Sequence, residues 1–257
     1  MNASEIMRLN TKSVNLELNI ESKKLLCNGS EVPFSVRRLG DMSPVLLSAN
    51  LINKNNRDDV LYYMYRAAGL SINPTIFEAH NMRYDVTMMV NYNLGKEFNK
   101  TFGHYHPLAE NDLSYPEIYE LLYGEAMYVL QAKQGDEYKV RLVRAKKGDR
   151  IIMPPNYGHI TVNVGNGPLV EANLVSSKFK SDYMPIKDMG GGAVYVLNDN
   201  NIVVNKNYSN VSIGYFEEPE ELAFLDNSKS LYDEYIAHPE HFEFLEKPSL
   251  LAGKITQ

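Results

Sequence analysis

The stretch Tyr84-Asp85-Val86-Thr87-Met88-Met89-Val90-Asn91-Tyr92-Asn93-Leu94 decides the fold class. Tyr84, Val86, Met88, Val90, Tyr92 and Leu94 alternate with Asp85, Thr87, Met89, Asn91 and Asn93. That period of two gives a strand with one apolar and one mostly polar face. Downstream, short candidates of the same kind follow at 117–123, 126–132, 138–143, 151–153, 160–164, 169–174, 194–197, 202–204 and 211–215, with Gly, Pro, Asn or Asp in nearly every gap. Many short strands at this spacing point to an all-β sandwich or barrel rather than a parallel sheet with crossover helices. Upstream, Val14, Leu16, Leu18 and Ile20 alternate as in a half-buried strand, and a turn is expected around Asn28-Gly29-Ser30. Residues 34–42 carry no clear period, and 58–65, where acidic residues lead an apolar run, fits either a helix or a strand. Past Tyr215 the chain becomes acidic and aromatic. Asn227 or Ser228 can cap a helix bearing Leu231, Tyr232, Tyr235 and Ile236, and Pro239 can open a further turn bearing Phe242 and Leu245. The expected organisation is a β-domain with an N-terminal extension over 1–215, and a helical tail over 216–257 packed upon it.

At 257 residues, with 44% hydrophobic and 23% charged residues, the chain has the composition of a globular protein and enough length for a sizeable core. Its 26 Lys and Arg against 32 Asp and Glu leave a formal charge of −6, and no basic block offers the footprint that binding to a phosphate backbone needs. Nucleic acid is therefore not an expected partner. No apolar run reaches the length of a membrane span. The single cysteine, Cys27, has no partner for an internal disulfide, and Met1-Asn2-Ala3-Ser4-Glu5 lacks the charged-then-apolar character of a leader, so a cytoplasmic location is expected.

Six histidines are present, and three of them belong to one constellation. His104 and His106 are two apart, so on a strand both imidazoles project from the same face toward one ion. Glu117 opens the next strand candidate, where a hairpin-like return brings its carboxylate opposite them. His159 stands between a Pro/Gly turn and a strand. Three imidazoles and a carboxylate are a mixed N/O donor set suited to Fe(II), Mn(II), Ni(II), Co(II) or Zn(II). His80, His238 and His241 have no such neighbours in sequence and read as structural or surface groups.

Gly103-His104-Tyr105-His106, then Glu117 and Gly124, and later Gly148, Pro154, Gly158-His159 and Asn163, resemble the two cupin motifs, with a longer gap before the glutamate than is usual. The flanking runs Ser35-Val36-Arg37-Arg38-Leu39-Gly40-Asp41-Met42, Val60-Leu61-Tyr62, Gly95-Lys96-Glu97-Phe98 and Thr161-Val162-Asn163 narrow the likeness. From about Ser35 to Tyr183 the chain is similar to the cupin-type glucose-6-phosphate isomerases of archaea and bacteria. That resemblance implies a jelly-roll β-barrel, usually as a homodimer, acting on a small phosphorylated sugar. It implies one divalent metal per subunit, Fe, Mn, Ni or Zn, held by His104, His106, Glu117 and His159. It makes Glu117 the base for aldose–ketose interconversion as well as a ligand, with a metal-assisted hydride shift through the same residues as the alternative, and Tyr119 a contact to the sugar. The phosphate falls to Tyr62, Thr87, Thr101, the backbone of Gly103 and Tyr183. Ser181, Val175 and Phe102 stand where better-known members have a histidine, a tyrosine and a lysine, so Lys178 and Lys180 were natural substitutes for the missing donors. Isomerisation of another phosphosugar, such as mannose 6-phosphate, and a non-catalytic sugar-phosphate-binding cupin are the alternatives.

Overall fold

The computed structural model describes residues 6–9, 11–69 and 73–255; Met1 to Glu5, on which the reading of a missing leader rests, lie outside them. The chain opens with an antiparallel meander, β1 (Ile6–Leu9), β2 (Leu16–Asn19), β3 (Lys24–Cys27) and β4 (Ser30–Val32), whose last turn holds Asn28 and Gly29 at positive φ. Then come β5 (Phe34–Arg38), β6 (Val60–Tyr65), the short helix α1 (Pro74–Ala79) and β7 (Met82–Met89). The small hairpin β8 (Leu108–Glu110) and β9 (Leu113–Ser114) precedes β10 (Glu117–Tyr123), β11 (Glu125–Gln134), β12 (Glu137–Lys146), β13 (Arg150–Met153), β14 (Gly158–Asn163) and β15 (Leu169–Ser176). After α2 (Met184–Asp188), β16 (Val194–Val196) and β17 (Ile202–Val204) form a hairpin, β18 (Val211–Glu217) returns to the main body, and α3 (Leu231–Ala237) leads the tail.

Two sheets carry the architecture. One runs β13-β10-β15-β7-β6-β5 and the other β14-β11-β12-β18, antiparallel except for the pair β12/β18. Tyr62, Met89, Tyr119, Leu121 and Leu169 of the first share an apolar cluster with Tyr128, Leu130, Val143 and Ala145 of the second, so the sheets pack face to face in a jelly-roll sandwich. The all-β expectation is met. Among the described residues the ladders do not close into one barrel; segment 100–104 instead runs beside β14 through the single bridges Lys100↔Val162 and His104↔His159.

The alternation in β7 sorts its side chains as a period of two requires. Tyr84, Val86 and Met88 face outward into a second cluster with Leu16, Leu18 and Leu25 of the meander and Leu231, Tyr232, Tyr235, Phe242 and Phe244 of the tail. Asp85 and Thr87 face between the sheets. The strand stops at Met89 rather than running to Leu94, because the Asn99 side-chain amide donates to Leu61 O and Val90 O at 2.9 and 2.8 Å and ends the ladder. Residues 60–65 are a strand, as their three tyrosines and valine favour. The tail helix is capped by Ser230, not Asn227 or Ser228: its Oγ accepts the Asp233 N–H at 3.0 Å. Asp233 in turn accepts the N–H groups of Lys12 and Ser13, each at 2.7 Å, and Glu120 accepts that of Leu231 at 2.9 Å, which ties the tail to both the meander and the sheet. No helix of the described residues is long and apolar enough to cross a membrane.

Candidate active site and metal centre

Between the sheets lies a cavity lined by side chains of both. Segment 101–106 supplies one wall, β10, β15, β7 and β6 another, and β14 a third. The residues that the family resemblance assigns to catalysis, metal and phosphate all line it: Tyr62, Thr87, Thr101, Gly103, His104, His106, Glu117, Tyr119, His159 and Tyr183. Gly103 adopts φ +80°, and a Cβ there would meet Ile160 Cγ1 at 2.5 Å, so only glycine lets the segment lie against β14.

The four expected ligands converge, with one donor atom from each lying within 4.8 Å of the others. His104 Nε2 is 3.1 Å from His106 Nε2, and Glu117 Oε2 is 3.5 Å from His106 Nε2 and 3.2 Å from His159 Nε2. His106 Nδ1 faces the Tyr115 carbonyl at 2.9 Å; a carbonyl only accepts, so Nδ1 carries the proton and Nε2 of the neutral ring is a lone pair. The hairpin β8/β9 thus has a definite role, since it delivers Tyr115. Burial holds His104 well below the usual histidine range and His106 at about 4, so both rings are neutral at pH 7. Burial alone would raise Glu117, but the His159 imidazole 3.2 Å away and the neighbouring His106 outweigh it and leave its carboxyl lowered.

Glu117 Oε2 and both ring nitrogens of His159 are buried without a hydrogen-bond partner. Orphaned polar atoms are costly, and Glu117 Oε2 and His159 Nε2, with the Nε2 atoms of His104 and His106 close by, are what a divalent cation satisfies. The donor set therefore fits a metal. Asn173 on β15 donates from Nδ2 to Glu117 Oε1 at 2.6 Å, so one carboxylate oxygen is fixed while the other faces the imidazoles. Asn173→Ala is expected to weaken metal affinity about 10–100-fold, measured by competition with a chromophoric chelator, as loss of an outer-shell partner commonly does.

The residues expected at the phosphate have donors to spare. Tyr62 Oη accepts N–H groups from Phe102 and Arg37, both at 3.2 Å, which leaves its own hydrogen for the cavity. Thr101 Oγ1 accepts the Thr161 N–H at 2.9 Å and likewise keeps its hydrogen. Tyr119, buried near Glu117 and Glu171, is held well above 10 and stays a hydroxyl. Lys178 and Lys180 do not reach the cavity: both are exposed, and Lys178 pairs with Glu246 on the outer surface. The cations the sequence reading missed are arginines. Arg66 and Arg83 line the cavity and both engage the buried Asp85, at 2.6 and 2.8 Å, while Arg37 lies over the rings of Phe102 and Tyr183 at 5.3 and 5.7 Å. Strand parity could have found one of them, since Arg83 shares a face with Asp85 and Thr87.

A family model described as glucose-6-phosphate isomerase (GPI) matches residues 36–212, well over half of the chain. A glucose-6-phosphate isomerase of Thermococcus litoralis is 27% identical over 175 residues, covering 67% of this chain and 85% of that protein. Its counterpart in Thermococcus gammatolerans is 29% identical over 162 residues (63% and 79%), and that of Pyrococcus furiosus 26% over 177 residues (67% and 86%). Among solved structures, an oxalate oxidase overlaps 49% of this chain and 56% of its own at 14% identity and a TM-score of 0.36. By the span and specificity of the family match, this chain belongs to the glucose-6-phosphate isomerase family.

Proposed function

We infer that the chain interconverts glucose 6-phosphate and fructose 6-phosphate, with one divalent metal, Fe, Mn, Ni or Zn, held by His104, His106, Glu117 and His159. The observation that carries this reading is the orphaned Glu117 Oε2 facing three imidazoles in a cavity that also holds arginines. The bound metal would act as a Lewis acid on the C1 and C2 oxygens of the open-chain sugar. Glu117 takes the proton from C2 of the aldose and returns it to C1, while the hydroxyl proton passes from the C2 oxygen to the C1 oxygen, giving the ketose. Asn173 keeps its carboxylate from rotating away. Tyr119, uncharged and donating, stabilises negative charge as it develops on a sugar oxygen.

The phosphate is held by Tyr62, Thr87, Thr101, the Gly103 N–H and Tyr183, with Arg37, Arg66 and Arg83 supplying the charge. Arg66 and Arg83 share the buried Asp85 and Arg37 lies over Phe102, so positive charge is concentrated locally for a phosphate monoester in a protein whose net charge is −6. In the family likeness a lysine stands at position 102; here Arg37 stacked on Phe102 takes over that charge. The assembly is a homodimer on the strength of the same likeness; the single cysteine, Cys27, supports a cytoplasmic location, and the change of composition after Tyr215 supports a β-domain over 1–215 with a tail over 216–257.

The test is steady-state kinetics on fructose 6-phosphate. Arg66→Met and Arg83→Met are each expected to raise KM about 10–100-fold, the loss of a charge-assisted hydrogen bond, with a smaller effect on kcat. The double change K178A/K180A should leave KM as it was. A lysine effect without an arginine effect would put the phosphate on the other side of the cavity mouth.

A further inference from the structure

Glu171 is a charged residue type in a place that offers it no cation. It lies on β15 between the core residues Val170 and Ala172, is 1% exposed, and lines the cavity. Strand register sets it beside Thr87 of β7 and Leu121 of β10. From the facing sheet, Tyr128 of β11 and Thr161 of β14 both donate to its Oε2, at 2.8 and 3.3 Å. Among the described ion pairs Arg66 and Arg83 go to Asp85 and none goes to Glu171. An ionised Glu171 would therefore be a buried charge without an ion-pair partner, an arrangement whose cost is avoided by keeping the proton. Burial, with a smaller push from Glu117, raises its carboxyl to about 8 in spite of the two hydroxyl bonds. Since both hydroxyls point at Oε2, the acid proton belongs on Oε1.

We propose that Glu171 is a substrate-binding residue that works as a carboxylic acid, its Oε1–H donating to an oxygen of the bound sugar phosphate, and that its ionisation expels the substrate. The inference rests on the isomerase reading for the identity of the ligand. Thr101, Thr161 and Thr87 all lie around this carboxyl, so an anion in their midst tolerates a neutral acid and is repelled by a carboxylate.

The charged and titratable groups facing Glu171 leave a clean window for the test. Tyr128 and Tyr119 are held well above 10, chiefly by burial, and Glu117 is lowered. Arg66 remains a cation, and His104 and His106 remain neutral. A phosphate monoester is already a dianion above about pH 7. As pH rises from 7 to 9, Glu171 passes from mostly acid to mostly carboxylate, and apparent affinity falls with the acid fraction, about tenfold.

The experiment measures KM for fructose 6-phosphate and its binding by calorimetry, at pH 7 and 9, in the wild type and in Glu171→Gln. The wild type is expected to lose affinity about tenfold across this range. Glu171→Gln keeps a donor and cannot ionise, so its KM at pH 9 should stay within about twofold of its own value at pH 7. A flat wild-type profile, or a variant that follows the wild-type rise, overturns the proposal; a residue that only braces the fold would leave the pH dependence of KM in place. Infrared difference spectra of the wild type add a readout independent of the variant. A carboxylic-acid carbonyl band present at pH 7 and gone at pH 9 supports the assignment, and its absence at pH 7 contradicts it. If the wild type turned over no fructose 6-phosphate at either pH, the isomerase reading would fall, while calorimetry and the infrared band would still decide the role of Glu171.

Discussion

Glu117→Gln is expected to lower kcat for the conversion of fructose 6-phosphate to glucose 6-phosphate by about 10²–10⁴, the usual contribution of a positioned general base. The substitution keeps the shape of the side chain and an oxygen that can face the imidazoles, but removes the lone-pair basicity that accepts the carbon-bound proton. Two measurements locate the cause. Metal content of the purified variant reports on ligation, and incorporation of solvent deuterium into product reports on proton transfer. A variant that retains metal at one per chain and has lost both turnover and deuterium incorporation assigns Glu117 as the base. Unchanged kcat with metal retained would remove Glu117 from the chemistry, leaving it as a ligand alone. The lowered carboxyl range of Glu117 sets the expected acid limb: the group is ionised at neutral pH, so activity persists below pH 6 before its protonation interferes. The Asn173 bond to Oε1 contributes to this precision, since it leaves a single oxygen to face the substrate.

Much of this was legible in the residues, for physical reasons that can be named. Strands reveal themselves where one face meets a core and the other a polar surface, and β7 does so because its polar face meets the cavity rather than solvent. The candidate at 117–123 coincides with β10, since flanking Pro116 and Gly124 punctuate it on both sides. The metal ligands were legible because His104 and His106 stand two apart, in a segment that meets β14 at the single bridge His104↔His159 rather than in a strand, and Glu117 opens β10. Less legible was anything decided by contacts far apart in sequence. The overrun past Met89 depends on an amide ten residues on, that of Asn99. The choice of Ser230 over Asn227 or Ser228 as the cap depends on where Asp233 meets Lys12 and Ser13. The short helices α1 and α2, both opening with a proline in the first turn, are too brief to show a period. Lys178 and Lys180 were near the site in sequence, yet the chain turns them to the surface, whereas Arg66 and Arg83 arrive from neighbouring strands. Glu171 gave one sign of itself: an acid in a strand whose flanking residues are all core formers is either paired or neutral, and strand parity alone cannot say which.

Removal of metal is the second large effect. Protein dialysed against a chelator is expected to lose at least about 99% of its turnover, because the four donors have no other function in the cavity and the polarisation of C1 and C2 oxygens is worth several kcal/mol. Resupply of Mn(II) or Fe(II) should restore activity in proportion to occupancy, saturating at one ion per chain, and His159→Ala should bind that ion more weakly and recover less. The most direct measurement is therefore a coupled assay of fructose 6-phosphate to glucose 6-phosphate on metal-stripped protein titrated with Mn(II). Activity that rises with bound metal to a plateau at one equivalent is the result this account predicts. Full activity in the stripped protein, or stoichiometric binding at these four residues without any turnover, would contradict it.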